Sequence, residues 1–131
     1  MPNPRPPYRF LHRIGLALLA IGAAILNERH MKIHLAMGVL LLLPLFIIKV
    51  PLIHGCLLII LFVILLMAEL INTAIEATID IITHEYHPKA KLAKDTASGM
   101  VLLSAGLFVS FGIFIYAHGM YNLSIGVWIG S

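Results

Sequence analysis

Glu69, Asn72, Glu76 and Asp80 follow one another at intervals of three, four and four residues, directly after the apolar run Gly55 to Ala68. At roughly 100° per residue, that spacing keeps all four within about 80° of one helix face. An ionisable group in a membrane helix is costly, and persists where it faces a protein interior, a cavity or a bound cation. Two carboxylates one or two turns apart suit a hard divalent cation, which takes oxygen ligands. The remaining acids, Glu28, Glu85 and Asp95, are expected at the same membrane level, as are Arg9, Arg29, Lys32, Lys89, Lys91 and Lys94. Carboxylates and cations together can bind a metal and a polyphosphate, the ingredients of phosphoryl transfer. Neither standard glycine-rich phosphate cradle is present, so any nucleotide site must be built from helix side chains.

The elements that position these groups belong in a membrane. A chain of 131 residues that is 60% hydrophobic and 11% charged is too apolar for a soluble globule. From Thr96 to Ser131 there is no Lys, Arg, Asp or Glu, a stretch well beyond the roughly 20 residues that cross a bilayer. The expected fold is an all-α integral membrane bundle: an N-terminal interfacial helix and three transmembrane helices. Residues 1–29 form the lead-in and interfacial helix, and residues 30–131 the membrane domain, with spans at about 31–48, 52–80 and 94–118.

The uncharged run Ile14 to Leu26 rises only about 20 Å against a hydrocarbon core of about 30 Å, which suits an interfacial placement. A signal peptide is the rival reading, with small residues at Gly22-Ala23-Ala24. Pro44 predicts a kink in the first span, with a freed carbonyl that a neighbouring helix must satisfy. Thr83 to Ala93 is the expected link before the third span, whose small residues Ala97, Gly99, Ser104, Gly106, Ser110 and Gly112 permit close helix approach. Basic residues cluster near the N-terminus and in that link, so both are expected in the cytoplasm, with Lys49 and the C-terminus outside. Tyr121 and Trp128 would anchor the tail at the outer interface. The basic residues favour anionic lipid or a phosphorylated ligand, and nothing resembles a nucleic-acid reader. Cys56, the single cysteine, excludes an intrachain disulfide and reads as a small packing residue.

The run Ala68-Glu69-Leu70-Ile71-Asn72-Thr73-Ala74-Ile75-Glu76-Ala77-Thr78-Ile79-Asp80 resembles the signature of the small prokaryotic membrane lipid kinases, the bacterial diacylglycerol kinase and undecaprenol kinase family. Glu85-Tyr86-His87, Ala93-Lys94-Asp95 with Ser98, Asn27-Glu28-Arg29 and Lys32-Ile33-His34 extend the resemblance over nearly the whole chain. It implies an ATP- and Mg2+-dependent kinase acting on a membrane lipid alcohol in the bacterial cell membrane, assembled as a homotrimer with active sites shared between subunits. It implies that the N-terminal helix is retained. Glu28 and Glu76 would hold the magnesium, Glu69 would be the general base that takes the proton from the lipid hydroxyl, and Asn72 would orient Glu69 or the nucleotide. Arg9, Glu85, Tyr86, His87, Lys94 and Asp95 would contact ATP, and Ser98 would lie near the lipid head group. Leu16 and Ala20 depart from the family pattern, which has more polar or glycine residues along this helix. The stretch from Asn27 to His34 looks like the Gram-positive branch, where undecaprenol is the usual substrate. Diacylglycerol is the alternative.

Blander readings stand beside these. Glu69, Asn72 and Glu76 could be interhelical glue, and Asp80 a solvated helix end. His30 and His34, four residues apart, read as polar anchors at the interface rather than a metal pair. A non-enzymatic ion- or proton-conducting bundle using Glu69 and Glu76 is the reading from another class. It predicts carboxylates spread through the membrane depth, whereas here they gather at one end.

Overall fold

The computed structural model describes residues 10–48 and 50–124, with the backbone alone over 121–124. Arg9, Lys49, Trp128 and the side chain of Tyr121 therefore lie outside the described residues. Four α-helices follow in order: α1 (Phe10–Asn27), α2 (Arg29–Leu42), α3 (Leu52–Ile82) and α4 (Pro88–Ser124), with a 3-10 turn, Leu43–Phe46, continuing α2. The described residues contain no strand. Each helix, α2 counted with its 3-10 turn, is long and apolar enough to cross a membrane. The protein is an all-α membrane helical bundle.

Glu28 alone separates α1 from α2; its extended backbone, φ −83° and ψ 124°, turns the chain between them. α1 has no buried residue. The α-helical part of α2 ends just before Pro44, as the lack of a proline N–H requires. Without that N–H, neither Leu40 in an α-helical pattern nor Leu41 in a 3-10 pattern receives its usual donor. The hydroxyl of Tyr116 on α4 donates to the Leu41 carbonyl instead, so a neighbouring helix does satisfy a carbonyl at the proline.

α4 begins at Pro88, six residues ahead of the expected span. Proline suits the first helical position, where its fixed φ helps and its N–H is not needed. Lys89, Lys91, Lys94 and Asp95 consequently lie on helix turns that precede the apolar stretch, and the loop between α3 and α4 shortens to 83–87.

α3 and α4 form an antiparallel hairpin with a seam that repeats every seven residues. Leu58, Leu65 and Asn72 are buried on one side, and Val101, Phe108 and Ile115 on the other. Such a repeat keeps one stripe in contact along two long helices. Asn72 occupies the third seam position of α3, so the register that buries the leucines also draws its amide inward. The rings of Phe62 and Phe108 meet at 5.3 Å between centroids. α2 runs antiparallel to α3 and parallel to α4. At Gly38 a Cβ would fall 2.2 Å from Cζ of Phe62, and at Gly112 it would fall 3.2 Å from a Leu41 methyl. Most other large apolar side chains are exposed, as expected of surfaces that face lipid.

Candidate active site

The seam ends in polar groups. Glu69 is 3% exposed and Asn72 7%, whereas Glu76 is half-buried and Asp80 exposed. The stripe thus runs from the packed interior out to the helix end, as its spacing requires. Over seven residues, Glu69 and Glu76 are separated by about 10 Å along the axis.

Two separate polar contacts organise this stripe. The Asn72 amide Nδ2 donates to Oε1 of Glu76 at 3.0 Å, one helical turn away. Ser98 Oγ on α4 donates to Oδ1 of the same Asn72 at 3.4 Å. Asn72 is therefore polarised between Ser98 and Glu76 and holds the outer carboxylate. Glu69 instead faces α2, with Nε2 of His34 3.5 Å from its Oε2. His34 was expected as an interfacial anchor. Its side chain is only 12% exposed, and its Nδ1 is buried without a hydrogen-bond partner. The signal that could have found it is its place in Lys32-Ile33-His34, three residues after the buried Met31 of α2, but sequence alone does not align α2 with α3.

Beyond the apolar stretch lies an open cleft of about 530 Å³ around the loop between α3 and α4. Glu85, Tyr86, His87, Lys94 and Asp95, five residues expected at the nucleotide, line it together with Asp80. Both cations near its floor are engaged. Lys94 Nζ lies 2.5 Å from Oδ1 of Asp80, and Lys91 Nζ lies 2.7 Å from Oδ2 of Asp95. Thr83 and Glu85 close the loop by reciprocal bonds, Oγ1 of Thr83 donating to the Glu85 carbonyl and the Glu85 amide donating back to Oγ1. That closure leaves the Tyr86 ring exposed.

Glu28 is half-buried at the bend between α1 and α2, and its side chain makes no capping bond. Among the described residues no group of three or more His, Cys, Asp or Glu side chains is placed to hold a metal ion. Magnesium in a nucleotide site needs fewer, because one or two carboxylates act with the substrate's phosphates. Glu28 and Glu76 supply hard oxygen donors of that kind, and Glu76 has an oxygen beyond the one that Asn72 holds.

A family model of prokaryotic diacylglycerol kinases matches residues 15–116, which include every residue of the buried stripe and of the cleft. The chain belongs to the prokaryotic diacylglycerol kinase family. It is 36% identical over 90 residues to an undecaprenol kinase of Bacillus subtilis, covering 69% of this chain and 73% of that one. A diacylglycerol kinase of Pseudomonas aeruginosa is 34% identical over the same length, with 69% and 73% covered. One from Synechocystis is 32% identical, with 68% of this chain and 51% of that protein covered. As a member of the prokaryotic diacylglycerol kinase family, the protein is a membrane lipid kinase. Arg9 falls outside the matched residues.

Proposed function

We propose that this lipid kinase transfers the γ-phosphoryl group of Mg-ATP to undecaprenol, giving undecaprenyl phosphate. The observation that carries the reading is the burial of Glu69 at the end of the α3–α4 seam, one side of a polar stripe that leads out to a cation-lined cleft. General-base work needs a carboxylate within reach of the hydroxyl that it deprotonates. Glu69 sits deepest, where an alcohol held in the lipid would arrive, and Ser98, which bonds to Asn72, would lie near the lipid head group. Glu76, fixed by Asn72, and Glu28 would hold Mg2+, which when bound supplies positive charge to the phosphates. Lys94 and Asp95 would contact the nucleotide, with Arg9 and the segment Glu85-Tyr86-His87. The separation of Glu69 from Glu76 suits in-line transfer, in which acceptor oxygen, phosphorus and leaving oxygen stand in a row.

The proposed topology puts the N-terminus and the active site in the cytoplasm and the C-terminus outside, because the basic residues gather at that end. α1 would lie along the interface, and three copies of the chain would assemble with active sites shared between neighbours. Support for undecaprenol over diacylglycerol comes from the stretch Asn27 to His34 and from the similarity to the Bacillus enzyme. Diacylglycerol remains the second reading, favoured by the similarity to the Pseudomonas enzyme.

The test is turnover of the purified chain in mixed micelles with Mg-ATP, offering undecaprenol and diacylglycerol separately and together, with Glu69→Gln in parallel. Preferential transfer to undecaprenol, lost in the variant, is the expected result. Preference for diacylglycerol would overturn the substrate and keep the mechanism.

A further inference from the structure

Asn72 is expected to orient Glu69 or the nucleotide; its amide donates to Glu76, and its carbonyl oxygen accepts from Ser98 at 3.4 Å. The polar group that meets Glu69 comes from another helix. His34 on α2 brings Nε2 to 3.5 Å from Oε2 of Glu69, and both side chains are largely withdrawn from solvent, at 12% and 4% exposed. The other ring nitrogen, Nδ1, is buried without a partner. A buried polar atom left unpaired is a cost that an apolar residue of similar size would avoid. Retaining a histidine there makes sense where the ring has work to do, and the only polar contact of that ring among the described residues is Glu69.

We infer that His34 is the positioning residue for the general base: its Nε2–H holds Oε2 of Glu69, leaving Oε1 to receive the proton of the lipid hydroxyl. This rests on the proposed role of Glu69. Nδ1, buried without a partner, is better tolerated as a lone pair than as an orphaned N–H, which leaves Nε2 as the nitrogen that carries hydrogen. Two features of the fold make the contact specific. Gly38, one turn beyond His34, lets α2 approach until its backbone meets the Phe62 ring. Glu69, seven residues beyond Phe62 on α3, then comes level with His34 because the two helices are antiparallel. A carboxylate with a free χ rotation presents its oxygens in many directions. One pinned by a second helix presents a single oxygen, and misplacement of a reacting group by about 1 Å can cost on the order of 100-fold in rate.

The experiment compares the full chain with His34→Leu, His34→Gln and Glu69→Gln in mixed micelles, reading kcat, KM for Mg-ATP and thermal unfolding. Gln places an amide N–H close to the position of Nε2 and does not titrate. His34→Leu should lower kcat about 10- to 100-fold while leaving KM for Mg-ATP within about twofold, and His34→Gln should recover most of the loss. Should His34→Leu fail to fold, His34→Asn serves in its place, since its shorter amide stays polar but falls short of Oε2. Wild-type kcat in His34→Leu or His34→Asn, or equal losses in these and in His34→Gln, would overturn the inference. A loss that follows the unfolding temperature in all variants would reduce His34 to packing and overturn it as well. If Glu69→Gln itself keeps its turnover, the base assignment fails. If Glu69→Gln is inactive and His34→Leu is not, only the positioning role fails.

Discussion

Each polar residue of the stripe has a different neighbour, and that difference separates their expected phenotypes. Glu69 meets His34 and is shielded from solvent. Glu69→Gln preserves volume and burial while removing the base, so kcat should fall about 100- to 10,000-fold with thermal stability close to wild type. An activity assay beside an unfolding curve checks both. Glu76 is held by Asn72, so Asn72→Ala should free a carboxylate rather than remove one. Its signature is a raised Mg2+ requirement, seen as a shift to higher concentration in the magnesium titration of turnover, with the maximal rate partly restored at high magnesium. A fall in kcat with an unchanged magnesium titration would place Asn72 on the base instead. Asp80 sits against Lys94, at an exposed site where an ion pair contributes about 0.2–1 kcal/mol. If Lys94 serves a phosphate, it must leave Asp80 to do so. Asp80→Asn should then lower KM for ATP by up to about fivefold, the equivalent of that energy.

Helix-scale features show what was legible in the sequence. The four helices, the break at Pro44 and the one-faced stripe follow from apolar run length, proline chemistry and a 3.6-residue period, and all three are found in the structure. The start of α4 was misplaced, because Lys89 to Lys94 read as a charged link when Pro88 at a helix N-terminus already signals a helix that carries them. The pairing of His34 with Glu69 was not legible at all. It depends on how far α2 slides along α3, and that register is set by the Phe62 ring against Gly38, a steric fact invisible to periodicity. Register is open to direct test. In Gly38→Ala the new methyl has no room beside the Phe62 ring, and overpacking of this kind destabilises by about 1–3 kcal/mol. The unfolding midpoint in detergent should fall accordingly. Gly38→Ala combined with Phe62→Leu should recover part of it, since the two changes share one contact and are not additive.

At the level of the whole molecule, the single chain buries little. Its buried apolar residues line one seam and one flank, while the polar stripe opens outward past a half-buried Glu76. Along α3 Glu69 and Asp80, which pairs with Lys94, are eleven residues apart, about 16 Å in a helix. In the proposed trimer, one chain would supply its base to one reaction centre and its nucleotide cleft to another. Subunit mixing distinguishes the arrangements. Glu69→Gln chains lack the base and keep the cleft, whereas Lys94→Leu chains lack a cleft cation and keep the base. Each should be inactive alone. Unfolded together in equal amounts and reassembled, a shared site draws its base from one subunit and its cleft from the next. Each contribution is intact in half the cases, so about a quarter of wild-type activity should return under random cyclic assembly. Sites contained within one chain would return none, because every chain in the mixture carries a lesion. Recovery of activity near that level thus reports that base and cleft of one reaction centre come from different polypeptides, and its absence that they come from the same one.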